Sequence, residues 1–279
     1  MTLDGPRFFT TSLLPVREWL VLRGGSNQRL PLQVRVGYFR HPRFGHTLID
    51  TGYGVPLAPP QQRPGLYLTL YTWLLQPSVL SDAPLSDGLA PLGLAKTDIQ
   101  TVLLTHFHAD HIGGLADLPG TRILTARRAW AAVKARGRAA NALAGVFPDL
   151  LPPDFEARLE FYDDAPQVAA PLGLGPAWDI AGDGSVLVVD LPGHHAGHVG
   201  LCFPKREQPL LYAADVQWLL KAVLADRCPG FPISLTLPDR KAGAQSVAKL
   251  RAFAEGGGQV VLCHDPNRHP LDLPAPAVA

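Results

Sequence analysis

Four potential metal ligands fall within six residues: His106, His108, Asp110 and His111, inside the run Thr105-His106-Phe107-His108-Ala109-Asp110-His111. Imidazole and carboxylate donors together suit zinc, iron, manganese or cobalt, and no soft thiolate stands among them. The residues just before, Thr101 to Thr105, are apolar and read as a buried strand. Side chains alternate along a strand, so His106 and His108 project to the same side. A turn near Asp110 then carries Asp110 and His111 to a neighbouring point, and one short segment can feed two ligand sets. A surface loop rich in histidine by chance is the bland alternative. Three histidines and an aspartate directly after a buried strand speak against it.

Further donors end other expected strands. Gly184 to Leu191 runs into Pro192-Gly193-His194, Pro209 to Ala213 into Ala214-Asp215, and Gln259 to Cys263 into His264. Strands are also expected at Leu30–Phe39, His46–Asp50 and Arg122–Thr125. Helices are expected at Ala126–Arg136 and Pro238–Ala254, with broken helical pieces over 140–158. Residues 55–90 are rich in Pro, Leu and aromatics and read as a long loop with some helix. Insertions of that length inside a compact domain usually serve function. Residues 267–279 read as a surface tail.

Two halves, each mixing strands and helices, predict an α/β protein with two packed sheets in one domain spanning 1–279. With 279 residues and 47% apolar side chains, the chain can bury a large core. Its 25 basic and 24 acidic residues nearly cancel, which argues against a nucleic-acid partner. Three cysteines, Cys202, Cys228 and Cys263, match no zinc-ribbon or redox spacing and read as small hydrophobes in a reducing compartment. The N-terminus lacks a signal-peptide pattern. The greasiest stretch, 66–75, is about half a membrane span. The expectation is a cytoplasmic protein with no membrane partner.

His106 to His111, followed by Ile112-Gly113-Gly114, resembles the His-x-His-x-Asp-His signature of the metallo-β-lactamase superfamily. Leu48-Ile49-Asp50-Thr51-Gly52, Pro192-Gly193-His194-His195-Ala196-Gly197-His198, Ala214-Asp215 and Cys263-His264-Asp265 resemble that family's later landmarks, in the family's order. The resemblance spans 30–265 and implies an αββα four-layer sandwich, two mixed β-sheets flanked by helices. It further implies two divalent ions per chain, with zinc expected and iron, manganese or cobalt also suited. The first would take His106, His108 and His194, and the second Asp110, His111 and His264. Asp215 and a hydroxide would bridge them. Asp50, Thr105 and His198 would support the ligands without binding. His195 stands where the family has Thr or Ser and is expected to face solvent. His41, His46 and His269 are expected on the surface.

A metal-activated hydroxide attacks esters, lactones, thioesters, β-lactams and phosphodiesters alike, and Asp110 could shuttle the proton to the leaving group. Cysteine ligation in class B1 β-lactamases, where Asp215 stands here, disfavours that subclass. The fifteen residues after His264 leave no room for the helical extension of glyoxalase II. The insertion, the late helix and the short tail resemble the N-acyl homoserine lactone lactonases. One position departs: the tyrosine that those enzymes carry three residues after the bridging aspartate is Trp218, which has an indole N–H and no hydroxyl. Trp218, Tyr67, Tyr71 and Trp73 are the candidate pocket residues, the last three as a greasy lid or a dimer surface. A dinuclear hydrolase of a small ester or lactone is therefore expected. The alternative is a phosphotriester or phosphodiester hydrolase. A non-hydrolytic metal-binding or redox protein is disfavoured, because all seven ligand positions are filled.

Overall fold

A computed structural model describes residues 4–54, 65–231, 233–235 and 237–274. Two mixed sheets face each other. The first has seven strands in the order β4-β1-β2-β3-β5-β6-β7, where β1 is Asp4–Arg17, β2 Arg29–His41, β3 Gly45–Ile49, β4 Ser78–Val79, β5 Ile99–Leu103, β6 Arg122–Thr125 and β7 Leu159–Phe161. The second runs β13-β12-β11-β10-β9-β8, with β8 Gln167–Ala170, β9 Gly175–Asp179, β10 Leu187–Asp190, β11 Val199–Phe203, β12 Leu210–Tyr212 and β13 Gln259–Val261. β3, β5, β6 and β7 pair in parallel, as do β12 and β13, and the other pairs are antiparallel.

Aromatic residues lock the sheets together. Phe8 of β1 stacks on Tyr212 of β12 at 5.3 Å, and Phe39 of β2 meets Phe203 of β11 edge-on at 5.4 Å. Side chains alternate, so the neighbouring Phe9 faces the other way, against Gly88. Gly88 lies in a helix, the third of eight among the described residues. In chain order these are α1 (Glu18–Val21), α2 (Gly65–Leu75), α3 (Pro84–Leu89), α4 (Ala109–Ile112), α5 (Arg127–Ala135), α6 (Arg138–Leu143), α7 (Leu220–Leu224) and α8 (Arg240–Glu255). Val223 of α7 and Leu250 and Phe253 of α8 join Leu187, Val189 and Leu211 in a second apolar cluster on the outer face of the second sheet. The result is the expected αββα sandwich.

The elements expected from periodicity are present within a few residues of their bounds. β1, β7, β8, β9 and β11 come in addition. The insertion is organised where described: α2 and α3 are helical, and β4 pairs with β1. Its stretch 55–64 lies outside the described residues. α2 buries Leu68 and Thr72 and half-buries Tyr71 and Leu75, whereas Leu66, Tyr67, Leu70, Trp73 and Leu74 are exposed.

Residues 267–274 of the expected surface tail are exposed or half-buried, and they are anchored to the first sheet. Arg35 is buried in β2 and takes both carboxylate oxygens of Asp272 at 2.9 Å, and the Leu271 carbonyl accepts the Phe8 N–H. A buried guanidinium needs such a partner, so this segment is tied down. Residues 275–279 lie outside the described part. No helix among the described residues is long and apolar enough to cross a membrane.

Candidate metal centre

β10 and β12 both run antiparallel to β11, so they share one direction with β13. β3 and β5 are likewise parallel. The loops leaving the C-terminal ends of these five strands carry the candidate residues. A backbone bond joins the two groups at the rim, the Val199 N–H donating to the Thr105 carbonyl, and within the second sheet's group the Cys263 N–H donates to the Ala214 carbonyl. At Gly193 φ is +126°, and a Cβ there would sit 2.3 Å from the backbone of Gly243 in α8. Only glycine lets the turn before His194 press onto that helix.

Two ligand sets result. His108 Nδ1 lies 3.0 Å from His106 Nε2 and 2.9 Å from His194 Nε2, and Asp215 Oδ2 is 3.4 Å from His194 Nε2. His264 Nε2 lies 3.0 Å from Asp215 Oδ2 and 3.3 Å from Asp110 Oδ2. His111 Nε2 lies 3.4 Å from Asp215 Oδ1 and 3.8 Å from Asp110 Oδ2. All seven expected ligands thus converge, with Asp215 common to both sets. Cys263 Sγ lies within 4.8 Å of the His111, Asp215 and His264 donors, and it also contacts the Arg35 carbonyl at 3.6 Å.

The supporting bonds fix which nitrogen of each ring is free. An ionised carboxylate and a carbonyl only accept. His111 Nδ1, 2.8 Å from Asp50 Oδ2, and His264 Nδ1, 2.7 Å from the Gln33 carbonyl, therefore carry hydrogens. Asp50 also accepts the Thr105 N–H and hydroxyl, each at 2.8 Å, so Thr105 Oγ1 is left to accept from His106 Nδ1 at 3.0 Å. In His106, His111 and His264 it is therefore Nε2 that is turned inward. His198 spends both nitrogens, Nδ1 on the Leu191 carbonyl at 2.8 Å and Nε2 on the Asp215 N–H at 3.2 Å. It orients the aspartate's backbone.

The electrostatics favour a cation. Burial, added to by neighbouring imidazoles, pushes His106 and His194 well below the usual histidine range. Burial also lowers His108. Burial would depress His111 and His264 too, but Asp215 and its neighbours outweigh it and hold both well above that range. Burial opposes ionisation of Asp215, yet His264 and His111 keep it well below the usual carboxylate range. His111 Nε2 and Asp215 Oδ1 are buried without a hydrogen bond among the described residues. Buried polar atoms are seldom orphaned unless a ligand completes them. Tetrahedral nitrogen ligands of zinc sit about 3.3 Å apart, near the 2.9 and 3.0 Å separations around His108. The donor set fits a divalent ion.

Several expectations change here. His195 is 4% exposed, not solvent-facing: its ring packs 5.1 Å from that of His108, and Nδ1 meets the Ala196 carbonyl at 2.9 Å. His41 is buried against Ser185, and His46 pairs with the Tyr38 hydroxyl at 2.8 Å. His269 is half-buried. Trp218 is half-buried with its ring 6.3 Å from that of His194. Tyr71 turns inward, while Tyr67 and Trp73 turn to solvent. Sequence reasoning missed Gln33 and Arg35. Their only signal was a polar pair inside a strand otherwise apolar, which reads as a solvent face. It also missed Tyr53, hidden in turn chemistry.

The profile of the metallo-beta-lactamase superfamily matches residues 30–252. The chain belongs to that superfamily. It is a metal-dependent hydrolase of the αββα type. It is 30% identical over 243 residues to the N-acyl homoserine lactonase AttM of Azorhizobium caulinodans, covering 85% of this chain and 83% of the relative. It is 31% identical over 185 residues to a probable metallo-hydrolase of Mycobacterium tuberculosis, covering 61% and 53%. Among solved structures, a mutant of B. thuringiensis AiiA with N-decanoyl-L-homoserine bound superposes with a TM-score of 0.68 at 17% identity, covering 95% and 94%. AidC, a dizinc quorum-quenching lactonase, gives 0.64 at 17% identity, covering 95% and 90%.

Proposed function

We propose that this chain opens lactone rings, N-acyl homoserine lactones foremost, at a dinuclear centre. His106, His108 and His194 would hold one ion, and Asp110, His111 and His264 the other. Asp215 lies between them, and zinc is the expected metal. The observation that carries this reading is the pair of ligand sets meeting at Asp215, in a chain whose relatives include lactonases over most of its length. When bound, such an ion pair supplies hydroxide near neutral pH and polarises a carbonyl.

The protein's own groups do the rest. Burial opposes ionisation of Asp110, but His111 and His264 hold its pKa below the usual carboxylate range. At neutral pH it is anionic, and it can take a proton from water and pass it to the leaving oxygen. Beside His194 lies a cavity of about 110 Å³ lined by Gly193, Val216, Leu237 and Val247, with Arg227 and Arg240 also among its walls. Its apolar walls suit an acyl chain. Free thiols at all three cysteines suit a reducing compartment such as the cytoplasm.

The test is ring opening by purified protein, followed as acid release from acyl homoserine lactones of several chain lengths, with and without chelator. About two metal equivalents and chelator-sensitive turnover are expected. No metal-dependent opening of any lactone refutes the substrate. A chromogenic phosphotriester turned over far faster would move the assignment to phosphoester hydrolysis.

A further inference from the structure

Two tyrosines, Tyr53 and Tyr71, sit on segments that bond to the metal-binding loop. Tyr53 follows the Asp50-Thr51-Gly52 turn and is fully buried. That turn is clamped to the metal-binding segment. The Thr51 N–H and hydroxyl both donate to the His111 carbonyl at 2.9 Å, and Thr51 Oγ1 accepts the Gly114 N–H at 3.1 Å. A Cβ on Gly54 would lie 2.2 Å from the Gly113 carbonyl, so Tyr53 is carried at the closest approach of two backbones. Tyr71 reaches the same place from α2. Its ring packs 4.9 Å from that of Phe147, and the neighbouring Val146 bridges to His108, with the Ala109 N–H donating to the Gly145 carbonyl at 3.1 Å. The two hydroxyls meet at 3.4 Å. Tyr71 is thus bracketed by two segments that each bond to the His106–His111 loop.

A buried phenol must spend its proton on something, and the partner of the Tyr53 hydroxyl among the described residues is Tyr71. With Tyr53 donating, the Tyr71 oxygen accepts and its own O–H is left to donate to another group. Burial raises both phenols above the usual range, and the Asp110 and Asp215 carboxylates raise them further, Asp110 acting on Tyr71 ahead of Asp215. Both therefore stay protonated donors at neutral pH.

We propose that Tyr71, oriented by Tyr53, donates a hydrogen bond to the leaving oxygen of the substrate on the Asp110 side of the centre. The position three residues after Asp215 is Trp218, on the His194 side, and it offers no hydroxyl. Tyr71 keeps its proton throughout. The carbon–oxygen bond of the ester breaks, hydroxide joins the acyl carbon, and the proton lost by water reaches the leaving alkoxide through Asp110. Tyr71 holds that alkoxide in line while its charge develops. Tyr53 is a positioning residue. The inference rests on the ester and lactone reading of the reaction.

Leaving-group dependence separates this role from a structural one. Tyr71→Phe keeps the ring and its contact with Phe147. It should lower kcat on an acyl homoserine lactone roughly 10–100-fold, with KM within about threefold and two metals retained. On a p-nitrophenyl ester, whose phenolate leaves without help, the loss should stay below about threefold. Tyr53→Phe should show the same pattern at roughly 3–10-fold, and Leu143→Ala, at the exposed end of α6, should change neither substrate. Equal loss on both substrates, or no loss on the lactone, overturns the proposal. If the wild type leaves lactones intact, the lactone reading fails by itself, and an ethyl ester replaces the lactone in the same comparison.

Discussion

Asp50 touches no candidate ligand atom at the centre of the site, yet its replacement by Asn should empty half of it. The carboxylate accepts three hydrogen bonds at 2.8 Å, from the Thr105 N–H, the Thr105 hydroxyl and His111 Nδ1. It is fully buried, at φ +60°, a backbone region that Asn tolerates, so Asp50→Asn isolates the charge and the acceptor. The amide has two ways to sit, and both are poor. With its oxygen toward His111, the NH2 group opposes the Thr105 N–H and orphans a buried donor. With its NH2 toward His111, the ring must take up the other tautomer, with the hydrogen on Nε2 aimed at Asp110, Asp215 and His264. An orphaned buried donor costs about 1–3 kcal/mol, and a charged bond exchanged for a neutral one adds to that. A loss of roughly 2 kcal/mol is about 30-fold in affinity. Losing the hydrogen-bond partner of a ligating histidine typically costs about 10–100-fold in metal affinity. Chelator competition on the purified variant, with metal content read by elemental analysis, measures it. One ion should be lost at chelator levels that leave the His106, His108 and His194 ion in place. Affinity for the second ion within about threefold of wild type would refute the reasoning, as would equal weakening of both ions.

Other perturbations test the frame around the site. Asp272→Ala leaves the Arg35 guanidinium buried with only carbonyl partners, among them Leu262, Asp265 and Asn267. Breaking such a pair costs about 3 kcal/mol or more, and by thermal melting the midpoint should fall by roughly 6–10 °C. A shift under about 2 °C would show the pair to be dispensable. Thiol labelling of the native protein should modify Cys228 alone, the one exposed cysteine. Burial pushes the Cys202 thiol up to about 12, and Cys263 is fully buried. Modification of either at the rate of Cys228 under native conditions contradicts the packing described.

The residue types and spacing of His106, His108, Asp110 and His111, with His194, Asp215 and His264 each ending a strand, made the metal chemistry legible without a structure. Ligand chemistry is local in sequence, and strand alternation with a following turn is a short-range rule. The αββα arrangement was legible for the same reason wherever apolar runs were clean, as in β2, β5 and β12. β1 and β11 were not seen, because strands covered on both faces or carrying Thr and Ser in their interior lose the alternation that marks a strand. Burial of polar groups was decided only in three dimensions. Arg35, Gln33, His41 and His195 look like surface residues in a linear chain. Arg35, His41 and His195 are buried and Gln33 is half-buried because a partner distant in sequence, such as Asp272, the loop of His264, Ser185 or the ring of His108, closes over each. The pairing of Tyr53 with Tyr71 belongs to the same class. The sequence held both phenols, but the packing of Tyr71 of α2 on Phe147 and the clamping of the Tyr53 turn brought the hydroxyls within 3.4 Å of each other.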